Sequence, residues 1–276
     1  VFKDKALKAK AYTLLGDNLR ASNGLAAKWT PRKGEVAREI REFFGMTPKQ
    51  YRKSLVALTK VVETQMCAND WDNINYSHVP SVASRIYKKA FNRHSVKFAE
   101  YVAKLVSGDK TVKVNANAIF PHDVLKGIAH SYTGALDKTE TDHVIAQWDA
   151  LPNYVGDASI LPLVDVSGSM ATPVPGSSVR CLDVAVGLGL YLADKNKGVF
   201  KDTFLTFSAE PKAQVVKGTL AQKMNQMNSS KWGMNTNLHA AFDEILRIAV
   251  KGGVADADMP KTLLILSEDR KSTRLN

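Results

Sequence analysis

Cysteine is scarce: the chain has two in 276 residues, Cys67 and Cys181. They lie too far apart for metal-ligand spacing and are too few for a disulfide framework, so both are expected to be buried thiols. Long apolar runs are missing as well. The longest, such as 160–164 and 263–266, fall far short of the roughly 18 residues that a bilayer-crossing helix needs. No charged-then-apolar leader opens the sequence. A soluble, cytoplasmic protein with no membrane partner is the expectation. The phosphate-binding G-x-x-x-x-G-K-[ST] loop and the G-x-S-x-G nucleophile turn are also absent. His78, His94, His122, His130, His143 and His239 show no metal-ligand spacing. None is nominated as catalytic, and neither an enzymatic activity nor a small-molecule substrate is expected.

What is present excludes a wholly disordered chain, because 45% hydrophobic and 24% charged residues is ordinary globular composition. Thirty-eight Lys and Arg against 27 Asp and Glu leave a net charge of +11, of which residues 1–150 carry +9. Such an asymmetry favours a polyanion as partner of the first half, nucleic acid before membrane. The closing octapeptide 269–276, DRKSTRLN, is also one reading frame of a common sequencing adapter. It is read as adapter-derived and set aside, which leaves Asp or Glu as the native residue at 268.

From about 33 to 150 the periodicity is helical. Val36, Ile40, Phe43 and Phe44 form one apolar stripe, and Leu55, Leu58, Val61 and Val62 form another. Gly45 should stop the first helix, and Thr47 before Pro48 should cap the next. Further helices are predicted after Pro80, over 95–106 with a stop near Gly108, after Pro121, and over 142–150. The expected region is all-helical and resembles a helical-repeat array.

After Leu151 short apolar runs alternate with helical patterns: strand 158–165, helix 180–194, strand 202–208, helix 237–250, strand 261–267. This is α/β grammar, and the continuous hydrophobicity of 160–164 predicts a strand covered on both faces in a parallel sheet. Ligands gather at the carboxyl ends of such strands. There the sequence places Asp165, Ser167 and Ser169 as D-x-S-x-S around Gly168. A second loop offers Thr236, and the end of a later strand offers Ser267 and Glu268. Carboxylate and hydroxyl oxygens are hard ligands, suited to Mg2+ or Mn2+. An aspartyl phosphoryl-transfer enzyme would want a carboxylate where Ser167 stands, which argues against catalysis.

This ordered set resembles the metal-ion-dependent adhesion site of von Willebrand factor A domains. The resemblance implies that Ser167, Ser169 and Thr236 ligate the metal, that Asp165 and residue 268 hold coordinated waters, and that an acidic group of a protein partner fills an open position. Asn237 stands where many relatives carry Asp. The stretches 51–67 (YRKSLVALTKVVETQMC), 71–84 (WDNINYSHVPSVAS) and 120–125 (FPHDVL) extend the likeness over roughly residues 35–267. They resemble an uncharacterised family of plants, fungi and phages that is itself similar to the TROVE proteins, the RNA-binding Ro-type group. The fold class implied is α + α/β. Residues 1–150 would form a helical TROVE-like region, and 151–268 a truncated doubly wound parallel von Willebrand A-like domain.

The resemblance makes RNA a candidate ligand. Arg85, Lys88, Lys89 and Arg93 lie at helical offsets that place three or four of them along one side, near Lys97, with Arg52 and Lys53 from a neighbouring helix. The competing reading makes them the solvated sides of helices whose Ile86 and Phe91 face the core. Trp71, Asp72, Tyr76, His78 and Pro80 read as a packed connection. The functional expectation is a non-enzymatic RNA-binding scaffold with a divalent-metal-dependent partner site. The alternative is a purely protein-binding module.

Overall fold

Asp4 starts the first helix by accepting the amide protons of Ala6 and Leu7, which would otherwise be unpaired at a helix end. The computed structural model describes residues 4–59, 61–129, 137–156, 158–206, 210–229 and 237–268, and the chain divides into two units, Val1–Asn75 and Tyr76–Asn276.

The first unit is helical, with α1 (Lys5–Arg20), α2 (Gly24–Trp29), α3 (Gly34–Phe43), α4 (Pro48–Leu58) and α5 (Val62–Cys67). Thr47 and Gln50 form a capping box at the start of α4. Gly45, at φ 62°, ends α3 in the left-handed region that glycine adopts without strain. Ala27, Ala37, Ile40, Tyr51 and Leu55 make the core. Glu39 ties α3 to α1 by accepting from Tyr12 at 2.8 Å and pairing with Lys8 at 2.6 Å.

The stripe from Leu55 to Val62 does not run along one helix. The Thr59 hydroxyl donates back to the Leu55 carbonyl and accepts from Arg32 at 2.9 Å. β-Branched Val61 is extended, so a new helix starts at Val62. Val36 and Phe43 also lie at the rim of the α3 stripe, 37% and 46% exposed, with Ile40 at its centre. The expectation of two buried thiols is corrected: Cys67 is exposed and Cys181 half-buried, because each sits at a helix end rather than on a core face.

The second unit begins with α6 (Ser81–His94), α7 (Val96–Val106), α8 (Pro121–Ala129) and α9 (Lys138–Asp149). It continues through β1 (Ile160–Val164), α10 (Cys181–Lys195), β2 (Thr203–Thr206), β3 (Ala213–Val215), α11 (Leu220–Asn228), α12 (Leu238–Gly252) and β4 (Thr262–Leu266). The sheet order is β3-β2-β1-β4. β1 pairs in parallel with β2 and β4, and β3 adds an antiparallel edge.

β1 is covered on both sides, as its unbroken hydrophobicity predicts. Leu161 and Leu163 pack with Ala241 and Ile245 of α12, whereas Val164 packs with Leu190 of α10. Gly189 lets α10 lie on β1, since a Cβ there would meet Val164 Cγ2 at 2.6 Å. Gly187 faces α8, where a Cβ would meet the His122 backbone at 2.6 Å. Val124, Leu125, Val144 and Trp148 therefore share one apolar cluster with α10. The change in sequence grammar near 150 falls inside this unit. Among the described residues no helix is long and apolar enough to cross a membrane.

Candidate functional site

β1 delivers Asp165 to the carboxyl end of the sheet, where the chain turns through Ser167, Gly168 and Ser169. The Asp165 amide donates to the Leu266 carbonyl at 3.0 Å, so the turn is anchored on the neighbouring strand. Asp165 is buried, at 6% exposure. One carboxylate oxygen, Oδ1, accepts the Ser167 amide at 2.9 Å, and the other, Oδ2, accepts the Ser267 hydroxyl at 2.7 Å. The Ser167 and Ser169 hydroxyls lie 3.0 Å apart. Ser167 is half-buried and Ser169 exposed, so the group opens to solvent. Glu268, half-buried, follows Ser267 in the chain. Thr236 lies outside the described residues.

The fit to a divalent cation rests on donor chemistry. One carboxylate and three hydroxyls gather at two adjacent strand ends, all of them hard oxygen donors. Among the described residues no three His, Cys, Asp or Glu side chains converge, so a cation here would be held with fewer than three such ligands and would need hydroxyls and water besides.

The cationic candidates divide. Arg52 and Lys53 are exposed on α4, in the first unit. In the second unit Lys89, Arg93 and Lys97 are exposed, and Arg85 is half-buried with a guanidinium nitrogen 4.0 Å from Asp123. Lys88 is corrected: it is 7% exposed and lies on the face of α6 that also carries Ser81, Ser84 and Phe91. Lying four residues after Ser84 and three before Phe91, it shares their buried face. The competing reading needs correction too, since Phe91 is fully buried but Ile86 is 55% exposed.

Lys88 belongs to a polar seam between α6 and α9. Gln147 donates to the Ser81 carbonyl at 2.9 Å, and Ser84 shares a hydrogen bond with His143 Nε2 at 2.8 Å. Glu140 attracts the Lys88 ammonium, whose pKa burial nevertheless holds below the usual lysine value. His143 is fully buried, and desolvation pushes its pKa down to about 4. Among the described residues its Nδ1 has no hydrogen-bond partner. The signal for this seam is legible in retrospect: Ser81, Ser84 and Lys88 match Gln147, His143 and Glu140 in reverse order, as on antiparallel helices. Trp71 is satisfied locally by Asn69, its indole N–H donating at 2.8 Å, and Tyr76 is buried among Phe91, Phe98 and Tyr101.

The family model described as "Domain of unknown function (DUF2828)" matches residues 12–161, more than half of the 276-residue chain. The chain belongs to that family. A second model, "Domain of unknown function (DUF7788)", matches residues 159–271 and takes in Asp165, Ser167, Ser169 and Ser267. The chain is 30% identical to "Uncharacterized protein L728" of Acanthamoeba polyphaga mimivirus, over an alignment covering 88% of this chain and 45% of that protein. It thus spans less than half the length of this curated relative. No solved structure matches.

Proposed function

We propose that the chain is a non-enzymatic binding scaffold in which the turn after β1 holds Mg2+ or Mn2+, and that this cation captures an acidic group of a protein partner. The observation carrying this reading is the convergence of Asp165, Ser167, Ser169 and Ser267 at the ends of two adjacent parallel strands. A carboxylate that is buried yet borders the hydroxyls of half-buried and exposed serines suits a cation with open positions. In this reading Thr236 and Glu268 complete the ligand sphere. Residues 151–268 form a von Willebrand A-like domain, and residues 1–150 a TROVE-like region. The two family matches meet at 159–161, near that division. Capture of a partner from cell extract on the immobilised chain tests the reading. Mg2+ should support capture, and chelator or Asp165→Ala should abolish it; equal capture in chelator and in Mg2+ contradicts it.

A second reading adds RNA binding along Lys89, Arg93 and Lys97 of the second unit and, taken separately, at Arg52 and Lys53 of the first. The +9 charge of residues 1–150 supports it, as does the exposure of all five side chains. The burial of Lys88 and the engagement of Arg85 with Asp123 weaken it relative to the metal-dependent reading.

A further inference from the structure

Ser267 is not among the ligands that the resemblance supplies, but its hydroxyl reaches Asp165 across 102 positions of sequence. The torsion that orients an aspartate carboxylate is intrinsically broad, so the plane of the group is set by whatever its oxygens accept. On one side the Ser167 amide fixes Oδ1 at 2.9 Å from within the turn, and on the other the Ser267 hydroxyl fixes Oδ2 at 2.7 Å from the end of β4. A hydroxyl donating to an ionised carboxylate is among the stronger neutral-donor hydrogen bonds, and its short length fits that class.

We propose that Ser267 is a positioning residue of the metal site: its hydroxyl sets the plane of the Asp165 carboxylate so that the remaining lone pairs address the Ser167 and Ser169 pair. This rests on the metal-dependent reading above. Because Ser267 follows β4 and Asp165 follows β1, the hydrogen bond also makes the site a joint property of two paired strands. Metal binding should therefore add to the stability of that pairing.

The test is titration of Mg2+ and Mn2+ by calorimetry into the full chain and into Ser267→Ala, Ser267→Thr and Ser267→Cys variants, with melting temperatures recorded with and without metal. Loss of a group that orients a metal ligand costs about tenfold or more in affinity, and that loss is expected for Ser267→Ala. The threonine variant keeps the hydroxyl and should bind like the wild type. The cysteine variant keeps the volume, loses most of the donor strength, and should weaken with alanine while melting like wild type in the absence of metal. Wild-type affinity in the alanine or the cysteine variant overturns the inference and leaves the metal site standing. Failure of the wild type itself to bind either ion overturns the metal-site reading, and the inference with it.

Discussion

α6 and the end of β1 each bury one charged side chain, and the two burials differ in kind. Lys88 is 7% exposed and donates a long bond, 3.4 Å, to the Arg85 carbonyl, and in the same seam His143 has an imidazole nitrogen without a partner among the described residues. It is enclosed by α8, where Gly127 makes room for it: a Cβ there would stand 3.5 Å from its ammonium. Asp165 is 6% exposed, and both of its oxygens accept hydrogen bonds, next to hydroxyls that reach solvent. A buried charge that is enclosed acts on the fold, whereas one that is satisfied and borders an open rim is placed to act on a ligand.

The largest expected effect tests the enclosed member. Lys88→Glu sets a second carboxylate beside Glu140 in the seam and should cost about 3–5 kcal/mol, the range for an uncompensated buried charge, read from urea unfolding at neutral pH. A cost near zero would put Lys88 in solvent and erase the contrast. Next comes the pH dependence of the same seam. His143 is held neutral in the fold, with its pKa pushed down to about 4 from an ordinary 6.5. The unfolded chain then binds more protons between those values. Stability from this group is complete above pH 6.5 and declines as pH falls towards 4, by about 3 kcal/mol in all. His143→Gln should flatten that slope in unfolding curves recorded across the window; an unchanged slope would place the titration elsewhere.

Close packing gives a smaller effect. Gly187→Ala forces α10 off the His122 backbone and should cost about 1–3 kcal/mol in the same assay, and a neutral outcome would mean that α8 is free to shift. The smallest stability effect is that of Lys89→Glu with Arg93→Glu. These exposed positions should stay within about 0.5 kcal/mol of wild type. If RNA is bound there, the same pair should weaken retardation of RNA at low salt, and unchanged retardation would end the assignment of this stripe.

Much of the fold was legible because local chemistry specified it. The Thr47 capping box, the left-handed Gly45, and the unbroken apolar run of β1 each have a mechanism that short sequence windows express. β3 was not legible: three residues joined to β2 by antiparallel pairing carry too little alternation to register. α11 has a legible start, since Thr219 and Gln222 form a capping box, but its apolar stripe is weaker than those of α6, α7, α8 and α12. In the candidate site, Asp165, Ser167 and Ser169 could be read from adjacency alone. The Ser267 contact depends on which strand lies beside β1, which spacing does not encode. For the same reason the offsets on α6 define its faces without saying which one α8 and α9 cover, and the burial of Lys88 is not legible from them.

The central claim is that the strand-end oxygens form a cation site, and calorimetric titration of Mg2+ into the wild-type chain and into Asp165→Ala tests it most directly. The account predicts saturable binding of one ion by the wild type and none by the variant. Equal heats from the two proteins, or no binding by either, would contradict it.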